Sequence, residues 1–283
     1  MTSGSKLANI LTFSNVINGL VIVNGALLYT IYTNYKAKRP EYKLVEPPTE
    51  THRINIYNSI ASTYDSTFEP IFEKNKVNKT KKVIVANATG HVLEVAAGTL
   101  GNLKYYGDID SLTAIDKSVR MCVEMKKKVE KEKPKFPVTI ICGDASKVPF
   151  NDSGFNTIVS TYALCSVEDP VACVKEIARV MKPGGSYFAL ERGKIHYWPI
   201  RKLMSALRLY PNPSVPWKNG YYEDRDPLQI IQDGGLKVAK FVVFGFGVNY
   251  SIFSKRDNVK VVHFADGPEI DQDTKVFYRY TPQ

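Results

Sequence analysis

Residues 91–116 read HVLEVAAGTLGNLKYYGDIDSLTAID and carry the pattern best suited to chemistry. An apolar run, His91–Ala96, breaks into a small-residue turn, Ala97-Gly98-Thr99-Leu100-Gly101. A second apolar run, Leu112–Ile115, ends on Asp116. Glycine lets the backbone approach a ligand, and the start of a following helix offers free N–H groups. An acid at the end of the second strand can accept both hydroxyls of a ribose. Together these are the parts of a nucleoside site. Ala96-x-Gly98-x-x-Gly101 is one methyl away from the GxGxxG dinucleotide fingerprint, which makes a nicotinamide-dependent oxidoreductase a rival reading. A second acid, Asp144, follows the apolar run Val138–Cys142 within Gly143-Asp144-Ala145. A carboxylate at the end of a third strand can accept from an adenine amino group.

These residues need strands that end together, and the patterning supplies them. It predicts a helix over 55–80, strand 91–96, helix 100–107, strand 112–116 and helix 118–132. Strands 138–142 and 155–161, helix 169–181 and strand 186–191 follow. Val180-Met181-Lys182-Pro183-Gly184-Gly185 reads as a helix stop, because Pro and Gly both end helices. Beyond it come a helix at about 196–209, a Pro-rich loop at 211–216 and a helix over 226–233. Strand 236–244 and a strand over 275–281 would close the sheet as a hairpin. Alternating strands and helices imply a doubly wound, mostly parallel α/β sheet. The 192–225 insertion and the 245–273 loop are expected to shape the acceptor pocket.

In order, Glu94-x-x-x-Gly98-Thr99, Asp116, Gly143-Asp144-Ala145-x-x-x-Pro149-Phe150, Phe155-Asn156 and Lys182-Pro183-Gly184-Gly185 resemble a class I S-adenosylmethionine-dependent methyltransferase over residues 55–192. Within that superfamily it looks like the quinone and small-molecule (type 11) branch. Thr161–Pro170 (TYALCSVEDP) resembles two membrane-anchored groups, one fungal and mitochondrial, the other the thiol methyltransferases of the animal endoplasmic reticulum. Tyr57-Asn58-x-Ile60-Ala61-x-x-Tyr64-Asp65 matches the first helix these enzymes share. The resemblance implies a Rossmann-like, mostly parallel seven-stranded sheet and S-adenosylmethionine as cofactor.

It also implies roles. Gly98 and Thr99 would meet the methionine part of the cofactor, with Ala96 in the same turn and Glu94 orienting it. Asp116, with Lys117 beside it, would take the ribose, and Asp144 with Ala145 the adenine. Tyr57 and Tyr64 would cap the cofactor, since an aromatic face suits a cationic sulfur. Thr161 and Tyr162 would face the methyl group, and Tyr162 is the candidate catalytic residue. Cys165, alone on an apolar strand end, reads as structural rather than nucleophilic. Three positions depart from the family. Ala96 and Leu100 stand where glycine is usual; Ala96 adds one methyl, while Leu100 would crowd the methionine end unless Gly101 takes over the turn. Arg192 in Glu191-Arg192-Gly193 replaces a histidine of the related groups. Leu100 and Arg192 keep a second reading open: a catalytically weak or inactive methyltransferase fold serving as an assembly or RNA-associated factor.

Composition narrows the acceptor. The chain has 283 residues, 44% hydrophobic, enough for one α/β core. Its four Cys form no CxxC and its four His show no ligand spacing, so neither a disulfide framework nor a metal site is expected. The net charge is +10; the Lys126–Lys135 run reads first as a solvated helix face and loop, with contact to anionic lipid head groups or RNA as the alternatives. Thr161-Tyr162-Ala163-Leu164 lacks the Asn/Asp-Pro-Pro-aromatic motif of amino-group base methylation, and no Pro-Cys nucleophile is present. Nucleic acid is therefore a disfavoured partner. A quinone precursor, a lipid or a hydrophobic thiol fits better.

No charged residue occurs from Leu7 to Tyr35, and Lys36, Lys38 and Arg39 follow at once. Val16–Tyr32 is about long enough to span a bilayer, with Tyr29, Tyr32 and Tyr35 as an aromatic belt. Asn15, Asn18 and Asn24 weaken the span and lie near one helix face. The expected organisation is an N-terminal transmembrane anchor (1–39), a linker (40–54) and a methyltransferase domain (55–283). The expected location is the mitochondrial inner membrane, with the endoplasmic reticulum second. No oligomeric state is defined by the sequence.

Overall fold

The computed structural model describes residues 46–256 and 274–282, together with Gly25, Leu28, Tyr29, Tyr32 and Thr33. Met1–Glu46 and Pro47–Gln283 are separate compact units. In the first, those five described residues are helical. Among the described residues no helix is long and apolar enough to cross a membrane, and most of the expected anchor lies outside them.

The second unit is built on an eight-stranded mixed sheet rather than seven strands. The strands are β1 (His91–Val95), β2 (Ser111–Asp116), β3 (Val138–Cys142), β4 (Phe155–Thr161), β5 (Met181–Arg192), β6 (Lys237–Phe244), β7 (Asn249–Lys255) and β8 (Tyr278–Tyr280). Their spatial order is β6-β7-β5-β4-β1-β2-β3-β8. The five central strands are parallel, and β6, β7 and β8 add antiparallel edges. The expected closing hairpin is wrong in one strand. β6 turns into β7, inside the segment read as a loop, while β8 crosses to the far edge and pairs with β3.

Alternation along the strands divides the core. Leu93, Val95, Ile115 and Ile158 face one way and meet α5 (Pro170–Val180) and α8 (Pro227–Asp233). Val92, Leu112, Ala114 and Ile140 face the other and meet α3 (Val77–Val85) and α4 (Val119–Glu132). Period-two side chains let one strand feed both layers. Capping side chains start the helices where the sequence supplies them. Ser118 accepts from Met121 N at 3.2 Å, and Asp169 accepts from Ala172 N at 2.9 Å ahead of Pro170.

Two expected helices change form. The stretch over 55–80 is α1 (Glu50–Ile60), a 3₁₀ turn, α2 (Tyr64–Lys74) and then α3. α1 starts inside the segment read as linker, and Lys76 takes a φ of 61° between α2 and α3. The helix expected over 100–107 is instead a run of turns with one 3₁₀ turn, Leu103–Tyr105. Gly101 and Gly107 weaken a helix there. Asn102 turns its amide inward to Glu94 at 2.9 Å rather than outward to water. The crossover from β1 to β2 therefore has no long helix pointing its N-terminus at a ligand.

The remaining helices, α6 (Trp198–Ala206) and α7 (Ser214–Asn219), lie between β5 and α8. Gly193 ends β5 against the turn that leads into α8. A Cβ there would collide with the Pro227 ring and stand 2.9 Å from Arg225 O. Gly193→Ala is expected to cost about 1–3 kcal/mol, read as a lower urea midpoint with an unchanged slope.

Candidate functional site

The parallel register brings the chemistry-bearing residues to one edge of the sheet. Val95 lies opposite Ile115, so the turn after β1 and the end of β2 emerge together. Asp116 in turn lies opposite Cys142, which sets Gly143-Asp144 beside it. Ligands of open α/β sheets bind outside these carboxyl ends, where the connections diverge.

Asp116 is the hub. Its Oδ2 accepts from Gly98 N at 2.8 Å, and its Oδ1 accepts from Ser118 N at 2.8 Å. Burial pushes its carboxyl above the usual range, against the pull of those two N–H donors. Gly98 holds a φ of 57°, and a Cβ built on it meets nothing within 4 Å. An open space thus lies over the turn beside the carboxylate. A ribose and a methionyl tail fit there: the acid can accept, and the glycine leaves room.

Glycine would also have been easier at two neighbours. Ala96 and Leu100 hold φ of 48° and 57°, left-handed values that cost a side-chain-bearing residue about 1–2 kcal/mol. The expected crowding by Leu100 does not arise. Its side chain is wholly buried in the layer with Val77, Leu103 and Met125, away from the open face of Gly98.

Glu94 does not reach the ligand side. It is buried, accepting from Asn102 Nδ2 at 2.9 Å and Tyr106 Oη at 2.6 Å. Asn102 also donates to Thr161 Oγ1 at 3.2 Å, tying the turn to the end of β4. Thr99 is buried and donates to Asp65 Oδ1 at 2.5 Å, and Asp65 also pairs with Lys128 at 2.5 Å. Lys117 bridges Glu50 (2.6 Å) and Asp144 (2.7 Å), fastening α1 to the end of β3. Burial pulls the Asp144 carboxyl upward, but Lys117 and the Ser146 N–H outweigh it and hold it below the usual range. Ala145 is buried in the core.

Burial raises the hydroxyls of Tyr57 and Tyr64, and the Asp116 carboxylate adds to the rise at both. Tyr162 has a φ of 58°, its ring centroid is 5.8 Å from that of Phe72, and its hydroxyl donates to Asn249 Oδ1 at 3.0 Å. Burial raises this hydroxyl too, so Tyr162 stays protonated and donates rather than acting as a base. The Cys165 thiol is pushed up to about 12 by burial, which leaves it inert as a nucleophile. Arg192 stacks over the Tyr221 ring at 5.2 Å, and its buried Nε has no partner among the described residues.

A cleft of about 720 Å³ lies behind the turn, lined by Asp65, Glu69, Thr99, Gly101, Lys104 and Lys128. Asp116, Gly98 and Asp144 do not line it. Its mixed charges are largely paired with one another, so the strand ends rather than this cleft place the chemistry. The site also uses residues given no role by sequence reasoning. These are Asn102, Tyr106, Asn249, Glu191 and Asn58, whose Oδ1 accepts from Ser118 Oγ at 2.7 Å. Asn58 and Glu191 lay in motifs that could have singled them out; the other three did not.

Asp116 and Asp144 stand at adjacent strand ends beside an open glycine turn, the place where open α/β sheets bind ligands. Comparison with known proteins agrees. The family profile described as Methyltransferase domain (type 11) matches residues 93–189. Methyltransferase OMS1, mitochondrial, of Saccharomyces cerevisiae is 27% identical over 71% of this chain and 46% of its own length. Demethylmenaquinone methyltransferase of Staphylococcus aureus is 32% identical over 56% of this chain and 66% of its own length. An S-adenosylmethionine-dependent methyltransferase from Aquifex aeolicus superposes with a TM-score of 0.52 at 19% identity, covering 70% of this chain and 97% of that one. Residues 93–189 thus carry a methyltransferase domain, and the chain is similar to S-adenosylmethionine-dependent methyltransferases in sequence and fold. It spans about half the length of the yeast relative and about two thirds of the bacterial one.

The buried acids give the site a pH signature. Burial raises the Glu94 carboxyl to about 7 from an ordinary 4.5. Between those values the folded chain holds a proton that the unfolded chain releases. The contribution to stability is therefore fully present below about 4.5 and is lost as pH rises through about 7. Glu94→Gln removes this loss. The melting temperature of the variant relative to the parent is expected to climb between about pH 5 and 8. A difference that stays flat with pH would show that Glu94 remains ionised in the fold.

Proposed function

We propose that the chain is a membrane-tethered methyltransferase whose acceptor is a small apolar molecule of the quinone-precursor type. The observation that carries the reading is Asp116, fixed by Gly98 N and Ser118 N beneath an open turn. In this reading Asp116 holds the ribose and Asp144 the adenine. Gly98 and Thr99 border the methionine part, and Tyr57 and Tyr64 cover the sulfur. Bound S-adenosylmethionine supplies an electrophilic methyl group on a sulfonium. The protein aligns the acceptor and excludes water. Tyr162, held by its hydrogen bond to Asn249, faces the acceptor. Arg192, a fixed cation beside Tyr162 and Tyr221, favours the enolate or phenolate form that attacks.

The likeness to a demethylmenaquinone methyltransferase supports a quinone-type acceptor, ahead of a lipid or thiol. The likeness to a mitochondrial yeast protein supports a mitochondrial location, ahead of the endoplasmic reticulum. The charge-free Leu7–Tyr35 segment followed by Lys36, Lys38 and Arg39 supports an anchor ahead of the catalytic unit. The alternative, an inactive assembly or RNA-associated factor, draws on Ala96 and Leu100. Both strain the backbone without filling the open face, so they cost stability rather than cofactor space.

Calorimetry on the full chain should give micromolar binding of S-adenosylmethionine, with no heat from NADH. Asp116→Ala is expected to weaken binding by about 10–100-fold, the loss of a charge-assisted contact of about 1.5–3 kcal/mol. Labelled methyl transfer to a demethylated quinone in vesicles then tests the acceptor. Cofactor binding without transfer to any quinone, but with transfer to a hydrophobic thiol, would overturn the acceptor class. No cofactor binding by a folded chain would favour the inactive factor.

A further inference from the structure

Helix α6 buries none of its residues. Ile200, Leu203 and Leu207 recur at helical spacing, and all three point their apolar stripe outward to solvent. Trp198 is 63% exposed at the start of the helix. Beside it, Phe246 at the tip of the β6–β7 hairpin is 96% exposed. The two features adjoin. His196 N donates to Gly247 O at 2.8 Å, and the His196 ring lies 5.9 Å from that of Phe241, itself exposed on the edge strand. Isolated exposed apolar side chains are ordinary, but a contiguous aromatic and aliphatic patch marks a docking surface.

The charge around the patch selects its occupant. From 192 to 222 the chain carries six cations and no carboxylate, but Lys194 pairs with Asp226 and Asp224 lines the recess beside Trp198, so Arg201 and Lys202 are the cations that flank the patch. Lys202 is exposed and stands 5.9 Å over the Trp198 ring. An amphipathic helix with Trp and Leu on its surface and cations beside them suits the boundary of an anionic bilayer, where rings sit among head groups and Lys meets lipid phosphate. We infer that α6 and the β6–β7 tip form a second, peripheral membrane contact that seats the domain on an anionic lipid surface.

The placement has a consequence for the site. The hairpin that carries Phe246 at its tip carries Asn249, the partner of Tyr162, three residues later. Gly193 N at the end of β5 donates to Val248 O at 2.9 Å. The patch thus adjoins the Tyr162–Asn249 side of the site, so an apolar acceptor could enter from the bilayer without crossing water. This last step rests on the proposed acceptor; the membrane contact itself does not.

The test uses the full chain with Trp217→Phe, which leaves Trp198 as its single tryptophan. Vesicles are phosphatidylcholine with about 30% phosphatidylglycerol and brominated acyl chains, against phosphatidylcholine alone. Quenching of Trp198 by roughly half in the anionic vesicles is expected, falling at least about twofold with Leu203→Asp and Phe246→Asp. The same chain carrying its only tryptophan at Val83→Trp, on α3, should stay unquenched. Equal quenching at both positions would mean tethering alone. A blue shift without bromine quenching would mean that a protein surface covers the patch. Either result overturns the inference. Cofactor binding should be unchanged in the Asp variants, which separates failure of the membrane contact from failure of the methyltransferase reading.

Discussion

The bond from Gly98 N to Asp116 Oδ2 joins the ends of two parallel strands, and the rest of the site is arranged around it. Parallel pairing alone would leave the two connections free to diverge. The carboxylate instead captures the turn after β1 and, through Ser118 N, the start of α4. Asn58 reaches the same point from α1 by accepting from Ser118 Oγ. One acid therefore aligns three elements and still faces the open side of Gly98. That double duty explains why its carboxyl is raised by burial yet held by two charge-assisted donors.

A second layer of buried acids supports the first. Glu94 and Glu191 are both nearly inaccessible, and burial raises each to about 7. Each is satisfied by donors from the connection it steadies. Glu94 takes Asn102 and Tyr106 from the β1–β2 crossover. Glu191 takes Ser160 Oγ at 2.6 Å and Leu164 N at 3.0 Å beyond β4. Unpaired, such groups would be costly; hydrogen-bonded, they fix loops that carry no long helix. The β1–β2 crossover depends on this most, because its single 3₁₀ turn cannot hold its own backbone polar groups.

The parallel core was legible because period-two apolar runs and helix caps act locally. β2, β3, β4 and the cap at Ser118 fall where the residues place them. The edges were not. β7 and β8 are chosen by which open strand edge each meets, a long-range matter that Asn249–Lys255 and Tyr278–Tyr280 do not encode by themselves. The helix expected after Gly98 failed because inward hydrogen bonds from Asn102 and Tyr106 compete with a helical path, and only tertiary contact reveals the acid they serve. At the site, Asp116 and Gly98 could be found from spacing. The Lys117 bridge from Asp144 to Glu50 could not, because its partners lie far apart in sequence.

The most direct measurement is a crystal structure of the chain with S-adenosylhomocysteine. Ribose hydroxyls hydrogen-bonded to the Asp116 carboxylate, with the amino-acid tail over Gly98 and the adenine beside Asp144, are the expected result. A nucleoside bound elsewhere, or an Asp116 carboxylate that touches only Gly98 and Ser118 with ligand present, would contradict the central role given to that residue.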